Sequence, residues 1–263
     1  MVEINGYLDV AQVVLYAFWI FFALLVWYLQ QESRREGYPL EDDVTGSYNK
    51  DAFIALPTPK VFKLPHGMGE RVYPHPDNRD TRPVPAVRSS MTSGAALIPT
   101  GDNPMKDCVG PASWAERPDH PDLTPHGTPK IQPLSVATDF AIAEGDADPR
   151  GMPVFGADGK QIGEISDVWV DQTENYIRFL EMKSGRTKRL IPLHFAVQER
   201  RGGLIGVGDD KRYYVHNLTA DLVKDIPTTK KPDEITMLEE EKIMAYLGGG
   251  GLYAVPDRAE PLV

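Results

Sequence analysis

The stretch Val10 to Gln31, VAQVVLYAFWIFFALLVWYLQQ, contains no Asp, Glu, Lys or Arg, and only Gln12 interrupts its apolar run before Gln30. At about 1.5 Å per residue it covers a hydrocarbon core of roughly 30 Å, which predicts one membrane-spanning helix. Asp9 with Gln12 three residues on has the form of a capping box, and Gly37 followed by Pro39 supplies a stop, so the span is set at residues 10–36. Tyr7, Trp27, Tyr28 and Tyr38 then fall near the two headgroup layers, where amphipathic rings are favoured. Charge sets the orientation. The first Lys or Arg of the chain is Arg34, so Arg34 and Arg35 put the basic flank on the C-terminal side, which the positive-inside rule assigns to the cytoplasm, with residues 1–9 across the membrane. A cleaved signal peptide would need a basic n-region, a shorter apolar core and a small-residue cleavage site, none of which precedes Arg34. A helix buried in a soluble protein would show a polar face over this length.

Beyond the span the chain is polar. It has 263 residues, a hydrophobic fraction of 41% and a mean hydropathy of -0.33, which describes one apolar end on a water-soluble body rather than a polytopic transporter. The formal net charge of -10 argues against a nucleic-acid partner, because phosphate binding needs a concentrated basic surface. A lone cysteine, Cys108, excludes an internal disulfide or a multi-cysteine metal site and reads as a small filler residue.

From Glu41 to Pro149 lie 16 of the 23 prolines, and few apolar runs are long enough for regular elements. Proline fixes φ and removes a donor, so residues 37–150 read as mostly extended chain lying along a surface, anchored by residues such as Phe53, Phe62, Tyr73, Ile98 and Trp114. The pattern changes at Gly151. MPVF, IGEISDVWVD, YIRFLEM, TKRLIPL, FAVQE, LIGVG and RYYV follow one another, separated by turns at Asp158-Gly159, Thr173 to Asn175, Ser184-Gly185 and Gly202-Gly203. Such spacing predicts a small antiparallel barrel or sandwich over 151–216. Strict alternation puts Ile177 and Phe179 on one face and Tyr176, Arg178, Leu180 and Met182 on the other. In 217–263 one helix is expected at about 233–247, opened by Pro232 and ended by Gly248, with Ile235, Leu238, Lys242, Ile243, Tyr246 and Leu247 as its stripe. Glu239, Glu240 and Glu241 should face away, and the final residues should be extended.

No catalytic motif is present: no G-x-S-x-G elbow, P-loop, G-x-G-x-x-G after a strand, or H-E-x-x-H. Gly248 to Gly251 follows a helix, whereas a phosphate loop precedes one. Among the six histidines, only His120 and His126 cluster with acids, Asp119 and Asp122, and the intervening prolines leave metal geometry open. A surface loop is the plainer reading; a metallohydrolase built on His120 and His126 lacks a ligand set. Asp171, Glu174, Glu234, Glu240 and His126 are groups whose protons move near neutral pH if burial raises the carboxylate pKa values.

Several long words carry a resemblance: YAFWIFFALLVWYLQQESRREGYPL from Tyr16, LPHG from Leu64, PTGDNPMKDCVGPASWAERPDHPDL from Pro99, IAEGDADPRGMPV from Ile142, DVWVD, PDEITMLEEEKIMAY and GGGGLYA. Together they are similar to the H subunit of the photosynthetic reaction centre of purple bacteria, from the helix to the C-terminus, with Asp42 to Ala52 the stretch that carries none of it. Gly151 to about Val215 also resembles the PRC-barrel domain. The fold so implied is a single transmembrane α-helix plus a mainly β cytoplasmic domain, a small antiparallel PRC-type barrel, with a C-terminal helix.

The resemblance implies a non-catalytic, single-pass subunit of the bacterial inner (intracytoplasmic) membrane, with its N-terminus periplasmic. Its body would cap the pigment-binding L and M subunits, shield the quinone sites and relay protons to the secondary quinone. A cytochrome subunit, a light-harvesting antenna and membrane lipids are further candidate neighbours. Bacteriochlorophyll, bacteriopheophytin, quinones, non-haem iron and carotenoid are expected on the partner subunits and none on this chain. By the same resemblance Glu174 would pass protons and Arg178 would keep nearby carboxylates ionised. His126 would mark the proton entry, and Lys130, Asp171, Glu234 and Glu240 further charged positions of the pathway. The family pattern flanks its histidine with an acid and a second histidine, where this chain has Thr124 and Thr128. A metal-binding entry would therefore have to recruit His120 or Asp122. The rival reading is a membrane-tethered PRC-barrel adapter for a cytoplasmic partner.

Overall fold

The computed structural model describes residues 3–5, 8–47, 55–75, 80–201 and 210–258. Tyr7, Phe53, the Gly202-Gly203 turn and the LIGVG strand at 204–208 lie outside them. The chain forms two compact units, Met1–Thr81 with Met91–Gly94, and Arg82–Ser90 with Ala95–Val263.

In the first unit, short strands β1 (Glu3–Asn5) and β2 (Leu8–Asp9) pair antiparallel and lead into helix α1 (Val10–Glu32). The capping box forms: Asp9 Oδ1 accepts from the Gln12 N–H at 2.7 Å, and the Asp9 N–H donates to Gln12 Oε1 at 3.3 Å. None of α1 is buried, and it is long and apolar enough to cross a membrane. The α ladder ends at Glu32, and a 3-10 turn (Ser33–Arg35) follows it; Glu36 is already extended, and Gly37 turns away at φ 75°. A hairpin of β3 (Lys60–Lys63) and β4 (Glu70–Tyr73) follows.

The second unit begins with the hairpin β5 (Ala86–Arg88) and β6 (Leu97–Pro99), continues through 3-10 turns at Pro104–Lys106 and Gly110–Ala112, and reaches β7 (Ile131–Pro133). Then come β8 (Pro153–Gly156), β9 (Gln161–Asp171), β10 (Tyr176–Ser184), β11 (Thr187–Pro192), β12 (Ala196–Arg201), β13 (Asp210–Val215) and helix α2 (Met237–Tyr253). The sheet runs β11-β10-β9-β8-β13-β12, with β7 joining β9, and curls into a half-barrel. All neighbours are antiparallel except β8 and β13, which run parallel. Trp169, Phe179, Ile165, Leu180 and Ile191 fill the core.

The expected division at residue 150 is not a division in the structure. Met105, Val109, Ala112, Ile131, Leu134 and Ala137 are all buried, and β7 extends the sheet. The second half of the proline-rich stretch thus lies on the surface of its unit but sends these side chains into its interior, because one apolar side chain every few residues suffices to anchor an extended chain. Strict alternation also fails in β10: Phe179, Leu180, Glu181 and Met182 are buried in succession. Ile177 faces Val170 and Phe179 faces Trp169, which leaves Arg178 as the extra residue of a β-bulge.

Helix α2 departs from expectation at both ends. Its N-cap is Thr236, whose hydroxyl accepts from the Glu239 N–H while Glu239 Oε2 accepts from the Thr236 N–H at 2.9 Å, so Pro232 and Glu234 lie before the helix and Glu239 is buried rather than facing away. Nor does Gly248 end it. A Cβ on Gly248 would lie 2.9 Å from the Pro111 carbonyl oxygen, on Gly249 2.7 Å from Ala112 Cβ, and on Gly250 1.8 Å from the Asn217 carbonyl oxygen. The glycines are close-approach positions inside a helix, with burial offsetting their poor propensity. Leu252 and Tyr253 are helical and Pro256–Arg258 forms a 3-10 turn, so the described part of the tail is not extended.

Candidate functional site

The turn between β9 and β10 is organised by one buried carboxylate. Asp171, 1% exposed, accepts at Oδ1 from the N–H groups of Thr173 and Glu174, both at 3.0 Å, and its carbonyl accepts from the Asn175 N–H at 2.9 Å. Asn175 takes the left-handed conformation that lets the chain reverse, at φ 57°. The other carboxylate oxygen of Asp171 lies 3.4 Å from Lys130 Nζ, which is also 3.9 Å from Asp122 Oδ2. Asp122, Lys130 and Asp171 therefore form a line of alternating charge from an exposed acid to the floor of the turn. Glu174 stands on that turn with an exposed side chain.

The bulge at Arg178 aims its guanidinium at α2. Nη2 donates to Glu240 Oε1 at 2.8 Å, and Nη1 donates to the Tyr176 hydroxyl. Burial alone would lower the Arg178 pKa, but these two hydrogen bonds and the Glu240 charge outweigh it and raise the pKa, so the cation is permanent. His194 is affected in turn: burial, and then the Arg178 charge, push its imidazole below its ordinary pKa.

Lys130 thus meets Asp171, and Arg178 meets Glu240. Glu234 instead pairs with Lys231 at 2.6 Å. His126 is exposed at the tip of a tight turn that the Thr124 N–H closes on the Thr128 carbonyl at 2.8 Å, with the two threonine hydroxyls hydrogen-bonded to each other at 2.8 Å. His120 directs Nδ1 at the Pro121 carbonyl, 3.0 Å away, and Asp119 is held by Lys230 and by the Thr236 hydroxyl. Among the described residues no group of three His, Cys, Asp or Glu side chains converges as a metal site, so His120, Asp122 and His126 do not form one.

Sequence reasoning missed two partners of these side chains that had a legible signal, and one buried acid elsewhere in the sheet that had none. Tyr176 shares the i, i+2 relation with Arg178, and Lys231 the i, i+3 relation with Glu234. Glu181 carried none. It is buried in β10, accepting from Ser166 Oγ at 2.7 Å and Trp169 Nε1 at 3.3 Å, with Lys188 Nζ at 2.7 Å.

Two family models match the chain. Residues 2–136 match the photosynthetic reaction centre H-chain N-terminal region, and residues 142–217 match the PRC-barrel domain. The second match coincides with β8 to β13, which bears Asp171, Glu174 and Arg178; the first bears α1, Asp122, His126 and Lys130.

Proposed function

The chain belongs to the photosynthetic reaction centre H-chain family, and on that premise we propose that its β domain relays protons from the cytoplasm to the secondary quinone held by the L and M subunits. It is a membrane-anchored accessory subunit that associates with other reaction centre subunits. In the proposed arrangement the C-terminal body is cytoplasmic, caps L and M, and keeps bulk water from the quinone region. A quinone reduced twice takes up two protons, and a quinone site sealed against water needs titratable side chains to bring them in.

The observation that carries this reading is the contrast between Glu174 and its surroundings. Asp171 is committed to holding the turn and to Lys130, and Glu240 is committed to Arg178. Side chains so engaged are held in place by their charge-assisted hydrogen bonds and ion pairs. Glu174 is presented on a rigid turn with its carboxylate exposed, which suits a group that must accept and release a proton in each cycle. Lys130, paired with the Asp171 that holds the turn, then acts as a fixed charge beside it. In the assembled complex, Glu174→Gln is expected to slow the proton-coupled second electron transfer to the secondary quinone while leaving the initial charge separation unchanged. Equal second-transfer rates in variant and native complexes would reject Glu174 as the carrier.

A further inference from the structure

The C-terminal end of α1 is fastened to a second element. The Glu32 carboxylate accepts from Arg35 Nη2 and Nε, each at 2.8 Å, and from Lys60 Nζ at 3.0 Å. Arg35 Nη1 also donates to the carbonyl oxygens of Thr58 and Tyr73, both at 2.9 Å. The open end of the β3–β4 hairpin is thereby tied to the last turn of α1. Lys60 Nζ also lies 5.9 Å from the centre of the Tyr28 ring, one turn deeper in the span.

These contacts decide which face of the hairpin looks toward the bilayer. The ladder sets Lys60 opposite Tyr73 and Phe62 opposite Arg71, so by strand alternation these four share a face. The Phe62 and Tyr73 ring centroids are 6.3 Å apart, as that placement requires. Because Lys60 reaches back along α1 to Tyr28, this face is turned toward the membrane, and Val61, Lys63, Glu70 and Val72 are turned away. The 23 residues of α1 measure about 34 Å against a core of roughly 30 Å, which puts Glu32 and the hairpin at headgroup depth. Phe62 is 43% exposed and Arg71 is exposed, and aromatic rings with cations are what that layer accepts.

We propose that the β3–β4 hairpin is an interfacial membrane-binding element whose face of Lys60, Phe62, Arg71 and Tyr73 sits on anionic phospholipid around the end of α1. Lys60 is engaged by Glu32, so Arg71, whose planar guanidinium matches a phosphate, carries the lipid contact, and Phe62 enters the boundary between headgroups and acyl chains. The proposal rests on α1 spanning the bilayer and is independent of the proton relay.

The test uses the full chain in its complex, in nanodiscs of phosphatidylcholine with increasing phosphatidylglycerol. In a Cys108→Ser background a nitroxide is placed through Phe62→Cys, Val61→Cys or, as an exposed control, Thr187→Cys. Power saturation should give the label at 62 a preference for oxygen over a nickel chelate, with labels at 61 and 187 preferring nickel. Arg71→Gln is expected to raise the phosphatidylglycerol needed for that preference by about fivefold, roughly the contribution of one interfacial cation. A label at 62 as open to nickel as the control overturns the proposal. One closed to both reagents overturns it equally, since a protein partner would then cover the face, and an unchanged phosphatidylglycerol requirement in Arg71→Gln removes the role of the charge.

Discussion

Arg178 shows how a single side chain sets the chemistry of its neighbours. It bonds Glu240 and Tyr176, and its charge, added to burial, keeps His194 neutral below the ordinary histidine pKa. As pH falls through the ordinary value of ~6.5, the unfolded chain takes up a proton at His194 that the folded chain resists. Stability is therefore expected to fall with pH below that value and to level off below the folded pKa. His194→Gln should flatten this slope in denaturant midpoints measured across the window. In Arg178→Met the His194 titration followed by NMR should move up; an unmoved midpoint would assign the shift to burial alone. At His126 the neighbours matter by what they lack. Thr124 and Thr128 bond each other instead of offering a carboxylate and an imidazole, so zinc or cadmium should inhibit proton uptake only weakly. Strong inhibition abolished by His126→Ala would contradict this. The resemblance singled out Glu174 and Arg178, but the pairing of Lys130 with Asp171 and of Arg178 with Glu240 was not legible in the sequence. Partners 41 and 62 residues apart in the chain leave no local periodic signal, and only the β7–β9 pairing and the approach of α2 bring them together.

Among the elements, α2 is the one whose length was decided by packing. A run of four glycines reads as a helix exit on propensity alone, since each costs about 1 kcal/mol relative to Ala in a helix interior. The structure carries the helix through it because Gly248, Gly249 and Gly250 allow the backbone to approach Pro111, Ala112 and Asn217. The four positions should respond differently to a methyl group. Gly250→Ala, with its Cβ 1.8 Å from a backbone oxygen, is expected to destabilise by about 1–3 kcal/mol or more. Gly251 is exposed, and its nearest neighbour, Asn217 Nδ2, is 3.4 Å from the added Cβ, so Gly251→Ala should stabilise by about 0.5–1 kcal/mol. Thermal unfolding of the two variants separates these outcomes, and similar melting temperatures would refute the close-approach account. The bulge in β10 has the same lesson on a smaller scale: one extra residue redirects Arg178 and ends the alternation that period-2 reading assumes.

For the whole molecule, α1 decides on which side of the membrane the acidic body lies. With Arg34 and Arg35 at its C-terminal end, the β domain is expected on the cytoplasmic side. Protease added to sealed inside-out vesicles should digest the domain, whereas intact right-side-out cells stripped of their outer wall should protect it. The reverse pattern would invert the orientation and place Glu174 on the wrong side for proton uptake from the cytoplasm. The sequence by itself determined the span, its capping box at Asp9 and Gln12, the order of the described strands beyond Gly151 and the family resemblance, because each is written in contiguous residues: an unbroken apolar run, a period of two, a turn dipeptide, an unusual word. Only the tertiary structure decided that Met105, Val109, Ala112, Ile131, Leu134 and Ala137 are buried, that β8 and β13 pair in parallel, that α2 runs through its glycines, and that the β3–β4 hairpin is bound to the end of α1. Each of these depends on contacts between segments far apart in the chain, whose energies outweigh local propensity and leave no trace in it.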